Sequence, residues 1–294
     1  MIQTIKKAWG IPELRKKIIF TALILLIFRI GNAIPVPYVN TDLLSSYLEG
    51  MSTTVLGLYN VMSGGAFAQA TVFALGVQPY INSSIIIQLL TIAIPALERL
   101  ARDGGEEGKK KIQSITRYAT VAIAVLQGWG YYMLMKNYGI LTEKSFWVAL
   151  VIIASFIAGS SFVMWMGEQI NEKGIGNGIS IILLAGIVAR LPVTVGSLWQ
   201  YLQLGQQGQP QYFVLVPLFI VLFLAVVWVI VFMNDAERRI PVQYAKKVVG
   251  RKMYGGQSSF LPVKVAMSGV MPVIFASAIL SIPQFIQFFV NPTD

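Results

Sequence analysis

Seven stretches of this chain are apolar over about the length a helix needs to cross a membrane: residues 18–37, 67–97, 117–135, 146–166, 179–199, 212–233 and 265–290. A hydrocarbon core about 30 Å thick takes roughly 20 residues of helix. Lipid satisfies no backbone polar group, so such runs fold as helices. The pattern predicts an all-α, polytopic helical membrane protein. Composition agrees, with 55% of 294 residues hydrophobic and 12% charged, about half the charged share of an average soluble domain. The first run begins KKIIFTALILLIF, with no small-residue cleavage pattern after it, and reads as a retained span rather than a removed signal peptide.

The net charge of +10 is unevenly spread. Five Lys or Arg precede the first span, six lie between the second and third, one (Lys173) follows the fourth, and seven lie between the sixth and seventh. The alternate loops hold none, then two (Lys136, Lys144), then one (Arg190), and Arg29 falls inside the first span. The positive-inside rule then puts the N-terminus and the even-numbered loops in the cytoplasm, and the end of a seventh span outside. The expected location is a cell membrane that the chain crosses several times. Arg29, two thirds of the way along its span, needs a carbonyl cap, a snorkelling route or an aqueous lining, because a charge at that depth costs at least ~2.5 kcal/mol.

The chain has no cysteine and no histidine, which excludes disulfides, thiol catalysis, histidine metal sites and Ser-His-Asp triads. No span holds a clearly embedded Asp or Glu, the usual device of ion-coupled carriers. A secondary transporter with a discontinuous helix is the alternative reading. An intramembrane enzyme lacks a suitable residue set. No enzymatic activity, cofactor or metal is expected.

Four polar segments carry further expectations. Residues 1–17 form a cytoplasmic amphipathic N-terminus, with Trp9 and Ile11 dipping into the headgroups. Residues 98–117 read as an exposed, glycine-broken cytoplasmic loop. GEQINEKGIGNGIS (167–180) reads as a re-entry turn, with Asn177-Gly178 allowing positive φ. The largest soluble piece, 234–264, alternates Ile240, Val242 and Tyr244 and reads as a projecting hairpin. Its basic residues Arg238, Arg239, Lys246, Lys247, Arg251 and Lys252 suit an acidic partner surface or anionic lipids.

The second span is broken. NVMSGGAFAQATVFALGVQPYINSS (60–84) contains Gly64, Gly65, Gly76 and Pro79. A helix of two to three turns over AFAQATVFALG, a break at Gly76–Pro79, and a second helix from Tyr80 to Leu97 are expected. Non-helical backbone at membrane depth must lie inside protein or beside water. In the second piece Val77, Ile81, Ile85 and Leu89 share one stripe, with Asn82, Gln88 and Thr91 beside it. Bulky aliphatics around water make a constriction that gates by dewetting.

SGGAFAQATVFALGVQPYINSSIIIQLL, MGEQINEKGIGNGISII, RRIPVQYAKK and LPVKVAMSGVMPVIFASAI closely resemble the bacterial SecY family, the central subunit of the protein-conducting translocon. The resemblance runs over essentially the whole chain and matches the first seven of the family's ten spans. It implies a channel bundle divided into 1–17, a five-span first half at 18–199, and the start of a second half at 200–294. The plug would occupy 60–74, including Asn60, Ser63, Gly64, Gly65, Phe67, Val72 and Ala74. The pore ring would comprise Val77, Ile81, Leu183 and Ile274, and the lateral gate Asn82, Ile85, Gln88 and Ile282. The implied partners are SecE-like and SecG-like subunits, the SecA motor ATPase, the ribosome, and secretory preproteins with their signal sequences.

Overall fold

In a computed structural model of the chain, residues 10–50, 55–207, 209–242, 247–249, 252–254, 259–265, 276 and 280 are described. Helix α1 (Pro12–Gly31) starts on a proline suited to a first turn. It carries Glu13 at its N-terminal end and Arg29 in its last turn, the ends that the helix dipole favours for each charge. Arg29 is exposed. The described part of the polar N-terminus, from Pro12, is thus continuous with the first span.

Helices α2 (Thr41–Gly50) and α3 (Val55–Met62) are short. Next come α4 (Gln78–Ala93) and α5 (Pro95–Arg102), bent by 102° at Ile94. The bend has a local cause. Ile94 is extended and Pro95 opens the next helix, because a residue before proline is pushed out of the α region. The expected helix to Leu97 therefore stops at Ala93.

Helix α6 (Gly105–Asn137) begins much earlier than the apolar run. The expected loop at 98–117 is mostly helix, since Glu106, Glu107 and Lys109–Lys111 are good helix formers that place acids at the N-terminal end. Helix α7 spans Phe146–Lys173. Helix α8 (Gly178–Val188) is capped by the Asn177 side chain, which accepts the Ser180 N–H at 3.2 Å. The positive φ of that turn falls on Gly176, at +66°, not on Asn177-Gly178.

The core lies where α2, α6 and α7 meet the segment after α3. Leu44, Tyr131, Leu134, Met135, Ile152 and Phe156 are almost fully buried there. By length and composition, Phe146–Lys173, Gly178–Gln206 and Tyr212–Asp235 can each cross a membrane, and the bent pair α4–α5 makes a fourth. The candidate seventh span, 265–290, lies outside the described residues apart from three positions.

The chain divides into two units, one holding residues up to Pro192 together with 275–294, the other Val193–Ile274. The second unit contains most of α9 (Leu191–Gln206), α10 (Tyr212–Asp235) and a hairpin. Helix α10 is apolar and exposed almost all round, with Val216 its one buried residue. That is the pattern of a lipid-immersed helix. Strand β1 (Glu237–Val242) pairs antiparallel with β4 (Ser259–Lys264), Ile240 opposite Leu261 and Arg239 opposite Pro262. Inside them β2 (Lys247–Val249) pairs with β3 (Lys252–Tyr254). A two-stranded ladder has only edge strands, so Pro241 and Pro262 are tolerated.

Candidate functional site

The broken segment folds differently from a short helix. Its helix is α3, which ends at Met62, and residues 63–77 are consecutive turns. Gly64, Gly65 and Gly76 have φ of +71°, +93° and +52°, and Ala70 has +42°. No α-helix accommodates that series of left-handed positions. Pro79 sits in the first turn of α4 rather than breaking it. Gly76 makes the break.

Side chains hold the turns. The Ser63 hydroxyl donates to the Asn60 carbonyl at 3.1 Å and accepts the Phe67 N–H at 3.0 Å. The Asn60 side-chain oxygen accepts the Ala68 N–H at 3.0 Å. Val36 N–H donates to the Ala70 carbonyl and Val72 N–H to the Ile34 carbonyl, so the connection after α1 forms a bridge with the segment. A Cβ on Gly64 would stand 2.8 Å from the Gly186 carbonyl of α8. Backbone meets backbone there.

The segment is buried between helices by two aromatic stacks. Phe67 lies on Tyr131, whose other neighbour is Phe156. Phe73 lies between Phe28 and Phe162, with centroids 6.0 Å away on each side. Gly31 and Gly159 make room: a Cβ at the first would run into the Phe73 ring, and at the second into the Val72 carbonyl.

From its N-cap Val77 onward, α4 then presents Val77, Ile81 and Ile85 to the interior, each under a tenth exposed. Leu89, the next residue of that stripe, is 47% exposed. Asn82 is buried, and its side-chain carbonyl has no donor among the described residues. Asn32 and Gln127 each bury an equally unpaired carbonyl. Ser83, fully buried, donates to the Thr116 carbonyl at 2.8 Å and fastens α4 to α6. Gln88 and Thr91 lie toward the surface.

One cluster lies outside the sequence reading. Glu168 is buried, and accepts from Arg117 Nε at 2.7 Å and Gln113 Nε2 at 3.1 Å. Taking 167–180 as a turn put Glu168 in a solvated loop, but α7 continues to Lys173. The signal was the run Glu168–Lys173, which holds no glycine or proline between Gly167 and Gly174.

Comparison with known proteins decides the family. A SecY family model matches residues 71–293. The protein translocase subunit SecY of Aquifex aeolicus is 40% identical over 303 residues, covering 99% of this chain and 69% of that protein. That of Escherichia coli K12 is 42% identical, covering 93% and 62%. The chain belongs to the SecY family.

Solved structures share the fold. A protein-conducting channel matches with a TM-score of 0.67 at 19% identity over 98% of this chain. Sec61 in the canine ribosome–channel complex matches at 0.65 and 19%. This SecY-family chain spans 63% of that first channel chain and 62% of the Escherichia coli relative, under two thirds of each.

On this SecY fold, Asn60 to Ala74 falls on the end of α3 and the buried turns, with Gly64, Gly65 and Val72 half-buried and Ser63, Phe67 and Ala74 buried. Val77, the N-cap of α4, and Ile81 stand one turn apart, and Leu183 is half-buried on α8. Ile274 and Ile282 lie outside the described residues. In the second unit Arg238 and Arg239 are exposed on β1. Lys247 and Lys252 lie in the inner ladder, while Lys246 and Arg251 fall outside the described residues.

Proposed function

We propose that this chain acts as a protein-conducting channel subunit, passing unfolded secretory chains across the bacterial cytoplasmic membrane and releasing hydrophobic segments sideways into it. The observation that carries the reading is the largely buried run of turns at 63–77, placed among helices, ending on the aliphatic Val77 and followed by Ile81 and Ile85. Irregular backbone at that depth suits a stopper inside a protein interior. The unpaired buried carbonyls of Asn32, Asn82 and Gln127 support a hydrated interior, since each costs ~1–3 kcal/mol if left dry.

In this reading residues 60–74 are the plug. Val77, Ile81, Leu183 and Ile274 form a gasket, and Asn82, Ile85, Gln88 and Ile282 line the lateral gate. Aliphatic side chains yield around varied residues without binding them. The N-terminus is cytoplasmic, so the basic hairpin around Arg238 and Arg239 faces an external energy source, SecA or the ribosome. SecE-like and SecG-like subunits complete the assembly. A secondary transporter would need a buried carboxylate free to couple an ion, whereas the buried Glu168 is tied to Arg117 and Gln113.

Reconstituting the assembled translocase with Ile81→Gly tests the proposal. Ion leak should rise while the protein remains folded and membrane-inserted. Unchanged conductance together with unchanged export would contradict the gasket.

A further inference from the structure

At the end of the first unit opposite the α5–α6 turn, helices α6 and α7 part to leave a groove of about 510 Å³, within the ~300–1,000 Å³ range of small-molecule sites. Its floor is apolar, with Met133, Ile153 and Ile157 among its lining residues. Its mouth carries Lys136 from the last turn of α6 and Lys144 from just before α7.

These are two of only three basic residues in the loops on that side. Both line one groove, no carboxylate does, and both are exposed. Neither forms an ion pair with another described residue. The neighbouring rings Trp129, Phe146 and Trp147 are 39%, 75% and 72% exposed, as befits an aromatic belt at the headgroup level. From Phe146 to Ile157 α7 rises about 17 Å at 1.5 Å per residue, close to one leaflet of a ~30 Å core.

We propose that this groove is a binding site for a single anionic phospholipid, its phosphate held between Lys136 and Lys144 and one acyl chain lying along Met133, Ile153 and Ile157. Charge complementarity selects the headgroup. A zwitterionic lipid would bring its own cation against two lysines. The apolar floor needs a hydrocarbon occupant, and the two long, flexible ammonium side chains reach a phosphate without a fixed geometry. The site lies across the membrane from the basic loops and their lipid contacts, so it is independent of the channel reading.

The test is native mass spectrometry of the assembled translocase released from nanodiscs of equal phosphatidylglycerol and phosphatidylcholine. The wild type should retain phosphatidylglycerol preferentially. Lys136→Gln with Lys144→Gln should lower that retention at least about fivefold, by loss of both charge contacts. Lys136→Arg with Lys144→Arg should keep it. Ala154→Trp, at an exposed lining position, should abolish it by filling the groove with both lysines present. Equal retention of the two lipids, or no effect of the Gln pair, would overturn the proposal. So would a photocrosslinker at Ile153 that captures a polypeptide rather than lipid in intact membranes.

Discussion

Tyr131 and Phe67 are 64 residues apart in sequence, yet their rings stack with centroids 4.3 Å apart while the Tyr131 hydroxyl donates to the Phe67 carbonyl. One side chain on α6 thus grips both the ring and the backbone of the segment proposed as plug. Such a stack contributes ~0.5–1.5 kcal/mol beyond burial.

Tyr131→Phe keeps the stack and removes the donor. The stranded carbonyl costs ~1–3 kcal/mol in the seated state, and about 1.4 kcal/mol is a factor of ten in population. Single-channel recording should show resting ion leak rising about tenfold. The melting temperature of the extracted protein should fall by only a few degrees. An unchanged leak would mean that the contact does not hold the seal.

Gly64→Ala should be severe for its size. The residue sits at φ +71°, and its new Cβ would press on the Gly186 carbonyl at 2.8 Å. Backbone strain there costs of order 1–3 kcal/mol. Protease accessibility of the 60–74 segment in membranes should increase. Gly196→Ala, where a Cβ meets nothing within 4 Å, serves as the silent comparison.

The Arg117–Glu168 pair is a stability feature. Hydrogen bonds to charged groups contribute ~1.5–3 kcal/mol, and the partly exposed Arg117 favours the lower end. Glu168→Gln should lower the thermal midpoint in detergent, and a double-mutant cycle with Arg117→Gln should return a coupling of about 1.5 kcal/mol. Additive effects would mean that the pair is energetically idle.

What the sequence made legible was whatever short-range pattern encodes. The alternation of Ile240 and Val242 announces the β1 strand, and the span-length runs announce α7 and α10. The α4 stripe of Val77, Ile81 and Ile85 follows from i, i+4 spacing. Other features depend on partners far along the chain. The turns at 63–77 required φ values that glycine permits but does not dictate, together with the bridge from Pro35. Nothing near Phe67 points to Tyr131. Pro95 did signal the bend at Ile94, but an apolar run passing through it masked the break.

The exposed Arg238 and Arg239 on β1 predict a salt-dependent contact. Reversing both to Glu should weaken binding of ribosomes to membranes carrying the assembled translocase, and should flatten its dependence on salt concentration. Sedimentation of ribosomes with such vesicles at two salt concentrations reads this directly. Equal binding at both would remove the hairpin from the docking surface.

The central claim is that Val77 and Ile81 line the path of a translocating chain. The chain has no cysteine, so Val77→Cys introduces a single thiol, with Leu222→Cys on the exposed face of α10 as the lipid-facing counterpart. A secretory chain arrested midway, carrying one cysteine in its mature part, should form a disulfide with Val77→Cys and none with Leu222→Cys. A crosslink at Leu222→Cys alone, or at neither position, would contradict the account.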